Sequence, residues 1–285
     1  MTQPILVTGA SGRTGSAIAA ALVARGIPVR GMVRRDAQAL KVEGMGVRPV
    51  HGDLNDPASL VAAAQGCATL IHVGPPMDPR EVEQTDAMLA AARAADARHF
   101  IYYSVMQPLR REVEHHKLKL IAEEHVVESG LPYTILQPSR YMQHLEPILA
   151  QVREGVHEMP FSIDATFNVV DLMDLAEATA VVAATKDYLY ATYELAGPEA
   201  LSQRAMAETL STALGRTVEA RKVDIEEMAR RAAAKGVPAE RIERMAKMNR
   251  HYDHHGFRGN ANALRWLLGR EPTTFAAYVD RLLAA

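Results

Sequence analysis

A glycine-rich turn near the start of the chain limits the folds that it can adopt. Residues 7–18 read VTGASGRTGSAI, with Gly9, Gly12 and Gly15 at intervals of three. An apolar run precedes the turn, and a helix-like pattern of small residues follows it. Glycine allows a tight turn and close approach of the backbone to a phosphate, which the start of the next helix attracts. The stretch therefore predicts a strand, a phosphate-binding turn and a helix; the alternative is an ordinary strand–helix turn that contains glycines.

Short apolar segments recur through the first half of the chain and predict strands buried on both faces. They cover residues 5–8, 29–33, 47–50, 69–73, 99–103 and 133–136. Helical patterns lie between them at 13–25, 57–65, 79–96 and 114–129. Asp56 followed by Pro57 is a typical helix start. Steady alternation of strand and helix predicts a parallel sheet with helices on both faces.

The pattern changes beyond residue 150. Strand and helix patterns occupy 167–184, 192–197 and 202–215, and further stretches predict an edge strand at 217–223 and helices at 224–236, 239–252 and 273–284. We therefore expect an α/β fold, with a Rossmann-type doubly wound parallel sheet that binds NAD(P) in residues 1–150. Residues 151–285 are expected to form a smaller C-terminal α/β lobe for the substrate. Because no Gly/Ser-rich linker separates the two, the lobe is expected to be interleaved and not to fold alone.

Charge and cysteine content exclude several classes of partner. The net charge of −2 over 285 residues gives no basic field for nucleic acid. A single cysteine, Cys67, excludes internal disulfides and fits a reducing compartment. No apolar stretch reaches the length needed to cross a membrane, and the first strand follows Met1 too closely for a signal peptide. We expect a cytoplasmic protein with a small-molecule substrate, no nucleic-acid or membrane partner, and a homodimer as its candidate assembly.

Basic residues at the end of the second strand indicate the type of dinucleotide. An NAD enzyme usually has Asp or Glu there to bind the ribose hydroxyls, but this chain has Arg34 and Arg35. Arg13 lies within the glycine turn. Guanidinium groups bind phosphate through paired N–H donors, so we expect NADP(H) to be favoured over NAD(H), with Arg34 as the main contact to the 2′-phosphate. Two alternatives remain: the arginines are solvated surface charge, or Asp36 takes the role of the acid.

Other candidate cofactor contacts follow from position at the ends of strands. The turn contributes Gly9, Ser11, Gly12, Arg13, Thr14 and Gly15. After the third strand, Asp53 and Leu54 are placed to bind adenine; the alternative is that Asp53 only shapes a turn. After the fourth strand, Val73, Gly74 and Pro75 are expected to border the ribose and nicotinamide.

Four stretches together resemble the NmrA-like group of atypical short-chain dehydrogenases, whose glycine spacing is also G-x-x-G-x-x-G. They are TGASGRTG in the turn, HGDLNDPASL at 51–60, residues 115–143 and residues 259–279. The resemblance covers nearly the whole chain. It implies a Rossmann fold that binds NAD(P). Some members of this group reduce quinones, dyes, or aromatic carbonyl and alkene compounds, and others report redox state to partner proteins without catalysis.

The same resemblance indicates candidate catalytic residues. Ordinary short-chain dehydrogenases use Tyr-x-x-x-Lys on a helix; here Lys119 matches the essential lysine of the isoflavone-reductase-like enzymes, and His115 stands where the tyrosine would be. We expect His115 to donate a proton and Lys119 to bind the nicotinamide ribose, with Glu123 placed one turn further on to hold Lys119. Ser104 is expected to bind a substrate oxygen. The alternatives are a solvated helix face for His115 and Lys119, and a strand-end hydroxyl satisfied by backbone for Ser104.

An apolar, adaptable substrate pocket is expected from Met106, Tyr141, Met142, Tyr252 and His254. Residues 252–259 are expected to form a loop over it, and Trp266 to lie in the core. No histidine or cysteine spacing supports a metal site. We therefore predict an NADPH-dependent oxidoreductase that reduces a small aromatic, quinone-like or conjugated carbonyl substrate by hydride transfer. The alternative is a non-catalytic NAD(P)-binding redox sensor that acts through a protein partner.

Overall fold

The computed structural model describes residues 3–284, which form two compact units. The first unit contains residues 3–109, 117–138 and 172–193; the second contains residues 110–116, 139–171 and 194–284. The strands are β1 (Ile5–Val7), β2 (Val29–Val33), β3 (Arg48–His51), β4 (Thr69–His72), β5 (His99–Tyr103), β6 (Tyr133–Pro138), β7 (Arg140–Tyr141), β8 (Val156–Met159), β9 (Thr166–Val170), β10 (Ala191–Leu195), β11 (Ala200–Ser202) and β12 (Glu219–Lys222).

The helices alternate with these strands, and in the first half of the chain all but α2 were expected. They are α1 (Arg13–Ala24), α2 (Asp36–Glu43), α3 (Pro57–Ala64), α4 (Glu81–Ala94), α5 (Glu114–Glu128), α6 (Leu149–Arg153), α7 (Leu172–Ala184), α8 (Gln203–Leu214), α9 (Ile225–Ala234), α10 (Ala239–His255), α11 (Asn262–Leu268) and α12 (Phe275–Ala284). A 3₁₀ helix, Met142–Ile148, precedes α6.

The first unit is built on a sheet with the order β3-β2-β1-β4-β5-β6-β10 among the described residues. The pairs from β3 to β6 are parallel, and Ile5 of β1 lies opposite both Val29 and Thr69. β1 and β5 are buried along their whole length, because helices cover both faces of a doubly wound sheet. This order places the carboxyl ends of β1 and β4 side by side, and it confirms the predicted Rossmann-type fold.

The observed division of the chain differs from the one expected at residue 150. Residues 172–193 lie in the first unit, since α7 packs against α1 and the N–H of Tyr190 donates to the carbonyl of Tyr133 at 2.6 Å. Residues 110–116 and 139–150 lie in the second unit. The chain therefore passes between the units several times.

Local signals fixed several helix ends. Asp56 caps α3 by accepting hydrogen bonds from the N–H groups of Ala58 and Ser59, and Gly215 ends α8 with a φ of +63°. α2 was not predicted, because only Val42 on it is buried and its sequence has no apolar stripe.

Two further expectations were wrong. Residues 252–255 form the last turn of α10 and not a loop, because the first helix-ending residue in that stretch is Gly256, whose φ is +61°. Trp266 is 73% exposed on α11 and does not lie in the core, because α11 buries Leu264 and Leu267 instead.

The second unit contains smaller sheets. β9 pairs antiparallel with β11 and parallel with β7, and β12 pairs parallel with β8. The predicted edge strand at 217–223 is confirmed as β12. An aromatic cluster of Phe161, Phe167, Tyr252 and Phe257 is buried in this unit. No helix in residues 3–284 combines the length and the apolar character that a bilayer crossing requires.

Candidate functional site

The glycine turn has a geometry that favours glycine at one position and excludes a Cβ atom at another. Gly9 has a φ of +62°, and its carbonyl accepts a hydrogen bond from the N–H of Gly12 at 2.8 Å. A Cβ atom on Gly15 would lie 2.2 Å from that same carbonyl oxygen. The first turn of α1 is therefore packed directly against the turn that precedes it.

The start of α1 suits an anion. Gly12 is its N-cap, no side chain among the described residues caps it, and its first turn contains no acidic residue. Amide groups at a helix start carry partial positive charge, and a close-packed glycine turn lets a pyrophosphate approach them. The residues present therefore fit a dinucleotide phosphate.

Basic side chains lie around this turn. Arg34 and Arg35 are exposed directly after β2, and their backbone N–H groups donate to Gln38 Oε1 at 2.9 and 3.2 Å. Lys41 Nζ of α2 donates to the carbonyl of Ser11 at 2.8 Å. Sequence reasoning missed Lys41, because α2 itself was not predicted.

The alternative acid, Asp36, is the first residue of α2. Its Oδ1 lies 3.4 Å from Nε2 of His51, at the end of β3. Both side chains are exposed, at 97% for Asp36 and 61% for His51.

The turn after β3 is tied together by Asp53. Its Oδ1 accepts from the backbone and side-chain N–H groups of Asn55 at 2.9 and 3.0 Å, and its own N–H donates to Ser59 Oγ at 3.0 Å. Asp53 therefore shapes a turn, and Leu54 beside it is half-buried. The adenine contact expected for both residues stays a prediction.

Thr8 joins the carboxyl ends of β1 and β4. Its hydroxyl donates to the Val73 carbonyl at 3.0 Å and accepts from the Val73 N–H at 2.8 Å. The Nδ1 atom of His72 lies 3.2 Å from the same oxygen. The hydroxyl has only one proton; with that proton on the Val73 carbonyl, Nδ1 of His72 donates in this contact and Nε2 is an acceptor.

Two buried acceptors face this part of the sheet without a donor among residues 3–284. They are His72 Nε2 and Glu81 Oε2. Burial lowers the pKa of His72 to about 4, so its ring is neutral at pH 7. A Cβ atom on Gly74 would lie 3.0 Å from Glu81 Oε2, so Glu81 lies directly beneath the predicted Val73–Gly74–Pro75 loop. Both atoms can accept a hydrogen bond from water or from a ligand.

Lys119 is buried on α5, and its ammonium donates to Glu81 Oε1 and to the Tyr103 carbonyl, both at 2.8 Å. It also lies 4.8 Å from the centre of the Tyr102 ring, and the Tyr102 hydroxyl donates to the same Glu81 oxygen at 2.8 Å. The partner of Lys119 is therefore Glu81 of α4, and the expectation that Glu123 holds it was wrong.

Burial and nearby charge shift the pKa values of Glu81 and Tyr102. Burial is the largest single influence and would raise the pKa of Glu81, but the Lys119 charge and the hydrogen bonds from Lys119 and Tyr102 together hold that pKa below its usual value. Burial and the Glu81 carboxylate raise the pKa of Tyr102 far above its usual value. The phenol therefore stays neutral and donates a hydrogen bond to Glu81.

Ser104, at the end of β5, has an internal partner. Its hydroxyl donates to Glu123 Oε1, and Gln137 Nε2 donates to both oxygens of the same carboxylate at 2.9 Å. Burial raises the pKa of Glu123. The hydroxyl is satisfied by a side chain and not by backbone, and its expected contact with substrate stays a prediction.

His115 and its neighbour His116 begin α5. His115 is half-buried, with its ring 5.8 Å from the ring of His116. His116 is buried, and its Nε2 lies 2.7 Å from the hydroxyl of Tyr252. Tyr252 is thus bound to His116 by its polar end, while His254 is exposed and lies edge-on to His255.

A narrow, partly open recess lies within the second unit. Tyr141 and Met142 line it, together with other residues of the 3₁₀ helix, β8, β9 and α8. Tyr252 and His254 are not among its lining residues, and Met106 is fully buried in the first unit. Of the predicted pocket, the structure therefore brings together Tyr141 and Met142. In the described part of the chain, no three His, Cys, Asp or Glu side chains are grouped as metal ligands would be.

Comparisons with known proteins agree with this geometry. An NAD(P)H azoreductase of Xenophilus azovorans is 29% identical over 284 residues, which cover 99% of this chain and 98% of that protein. A (4-alkanoyl-5-oxo-2,5-dihydrofuran-3-yl)methyl phosphate reductase of Streptomyces griseus is 32% identical over 225 residues, 78% of each chain. The triphenylmethane reductase of Citrobacter sp., solved in complex with NADP(H), superposes with a TM-score of 0.86 at 25% identity over 97% of this chain and 99% of that one. The model of the NmrA-like family matches residues 1–279, and the chain therefore belongs to the NmrA-like family, as the sequence resemblance predicted.

Proposed function

We propose that the chain is an NADPH-dependent reductase of a small aromatic, quinone-like or conjugated carbonyl compound. The observation that carries this proposal is the glycine turn, in which Gly15 packs against the Gly9 carbonyl and opens into a helix start without a side-chain cap. The relatives support the oxidoreductase class and the use of NADP(H), since one is named an NAD(P)H azoreductase and another was solved with NADP(H).

Different residues of the chain would bind different parts of the cofactor. The turn and the start of α1 would hold the pyrophosphate, and Arg34 would bind the 2′-phosphate, with Arg13, Arg35 and Lys41 adding positive charge. When bound, NADPH supplies a hydride. This proposal assigns the contact at the end of β2 to Arg34 and not to Asp36, because a guanidinium binds phosphate through paired N–H donors.

Lys119 and His115 are proposed to serve different ligands. Glu81 and the Tyr103 carbonyl hold the Lys119 ammonium in place at the sheet, where it would bind the hydroxyls of the cofactor's ribose. The His115 imidazole would give a proton to the substrate atom that has become basic, because histidine exchanges protons near neutral pH. Ser104 would contact a substrate oxygen only by exchanging its bond to Glu123.

We also propose that the protein works in the cytoplasm on small molecules, without a nucleic-acid or membrane partner, and as a homodimer. The net charge of −2 and the buried, unpaired thiol of Cys67 support this setting. Size-exclusion chromatography with light scattering tests the assembly, and a monomer at micromolar concentration would contradict it.

Cofactor choice is tested by calorimetric titration of NADPH and NADH into the wild type and Arg34→Ala. We expect the substitution to weaken NADPH binding by about 10- to 100-fold and to leave NADH binding unchanged, because only NADPH carries the 2′-phosphate. Arg48→Ala is the matched control: Arg48 is exposed at the opposite end of the neighbouring strand β3. Equal losses for both cofactors would show that Arg34 has a structural role.

Turnover is tested by following NADPH oxidation with menadione and with an uncharged azo dye. We expect oxidation by the wild type, and a kcat about 10²–10⁴-fold lower for His115→Ala with NADPH affinity unchanged. Binding of NADPH without oxidation across such a panel would contradict the reductase proposal and favour a redox sensor.

A further inference from the structure

The recess of the second unit contains a cation to which no sequence pattern assigned a role. Arg140 is the first residue of β7 and is half-buried at the lining of the recess. Its guanidinium lies 5.1 Å from the ring centre of Phe161 and 6.0 Å from that of Phe167. Its Nη2 atom lies 3.7 Å from the sulfur of Met159. The contacts of this side chain are thus aromatic faces and a thioether.

No carboxylate in residues 3–284 pairs with Arg140, although buried guanidinium groups normally have an anionic partner. Other arginines of the unit have one: Arg231 pairs with Glu158 at 2.7 Å and Arg281 with Asp171 at 2.6 Å. Tyr252 does not compensate the charge, because burial raises the pKa of its phenol and keeps it neutral. Burial lowers the pKa of Arg140 to about 10, so the group still carries its charge at pH 7.

The walls of the recess suit a flat ring. Phe161, Phe167 and Phe275 contribute aromatic faces, and Met142 and Met206 are unbranched side chains that can change rotamer to admit a ligand. The recess therefore combines the charge of Arg140 with an apolar lining. This combination is typical of sites that bind aromatic anions and not of an ordinary core.

Two further polar atoms in the lining have no hydrogen-bond partner within residues 3–284. Gln203 is 1% exposed, and its Nε2 donates to the carbonyls of His157 at 2.6 Å and Arg221 at 2.8 Å, which leaves its Oε1 unpaired. His157 is 4% exposed, with Nδ1 unpaired. Unpaired buried atoms cost free energy, so their position at a recess indicates that something else binds there.

We propose that this recess binds the aromatic ring and carboxylate of an aryl carboxylate, with the Arg140 guanidinium as its counter-ion. The planar fork of the guanidinium donates two parallel hydrogen bonds to a carboxylate, and the phenylalanine rings pack against the aryl group. The inference rests on the proposed function, for which it specifies the substrate class as aromatic compounds that carry an anionic group.

The test measures binding and does not depend on turnover. 2-Naphthoate and its uncharged analogue 2-naphthamide are titrated into the full-length chain by calorimetry. We expect the wild type to bind the carboxylate about 10- to 100-fold more tightly than the amide. Arg140→Gln is expected to abolish this preference by weakening naphthoate binding alone, and Arg140→Lys to retain part of it.

Arg241→Gln is the matched control, since Arg241 is exposed on α10 and outside the recess. It removes the same charge from the same unit and is expected to change neither affinity. Equal affinity of the wild type for both ligands, or an unchanged naphthoate affinity in Arg140→Gln, overturns the proposal. An equal loss of affinity for both ligands in Arg140→Gln also overturns it, because that result would show that the arginine only holds the lining residues in place. Failure of the reductase proposal is seen separately, as absent NADPH oxidation with uncharged menadione.

Discussion

The buried ammonium of Lys119 illustrates how a buried charge is compensated by one partner in this protein. Its side chain is 6% exposed and that of Glu81 is 2% exposed, so neither charge is solvated by water. Burying an ion costs several kcal/mol, and a partner at hydrogen-bond distance offsets that cost only while both charges are present. The pair is therefore sensitive to the loss of either member.

Removing one charge of this pair tests that reasoning. We expect Lys119→Met to lower the free energy of unfolding by about 3–5 kcal/mol, because it leaves the Glu81 carboxylate buried without its cation. The double substitution Lys119→Met with Glu81→Gln should recover most of that loss. Both are measured by urea unfolding followed by circular dichroism.

Lys247→Met is the control for this experiment, since Lys247 pairs with Glu243 at 2.9 Å on the exposed side of α10. Exposed pairs of this kind contribute little to stability, because water solvates both charges. If Lys119→Met destabilised no more than this control, the buried pair would not be the stabilising unit described here.

At the level of elements, β1, the glycine turn and α1 depend on one another, because α1 starts against the carbonyl of Gly9. Gly15→Ala should lower the free energy of unfolding by about 1–3 kcal/mol, since the methyl group must displace a backbone carbonyl. It should also weaken NADPH binding at least about 10-fold, because the turn must open. Thermal unfolding and calorimetric titration measure the two effects.

Gly44→Ala is the comparison for that substitution. Gly44 follows α2 with a φ of −60°, and the nearest atoms to an added Cβ lie at 3.7 Å. Alanine fits there without strain and is expected to change stability by less than about 1 kcal/mol. Equal effects of the two substitutions would contradict the close packing at Gly15.

Across the whole molecule, buried histidines determine how stability depends on pH. His72, His99 and His157 each have a pKa lowered to about 4, chiefly by burial. Between about pH 4 and 6.5 the unfolded chain binds these protons and the folded chain does not, so stability must rise with pH. Each histidine contributes a slope of up to about 1.4 kcal/mol per pH unit.

Urea unfolding between about pH 5.5 and 7 is expected to show this rise, and to level off as the unfolded histidines lose their protons near pH 6.5. His99→Gln removes one of the three groups and should reduce the slope by about a third at the acidic end. The raised pKa of Glu123 acts in the opposite direction just above pH 4.5, which is why the range starts higher. A stability that is independent of pH over this range would contradict the burial of these rings.

The sequence by itself determined the features that depend on neighbours along the chain. The glycine turn, the Asp56 cap of α3 and the Gly215 end of α8 were predicted because spacing and side-chain chemistry specify them within a few residues. The strand–helix alternation was predicted for the same reason, and with it the sheet that brings Gly9 and Gly74 to one edge.

Only the tertiary structure decided which distant residues meet. Helix spacing suggested Glu123 as the partner of Lys119, but packing of α4 against the sheet supplied Glu81, 38 positions away. Arg140 showed no signal in the sequence, because its significance is that Phe161 and Phe167, which are distant along the chain, pack beside it without a carboxylate. A cation's partner depends on which strands and helices pack beside it, and local sequence contains no record of that choice.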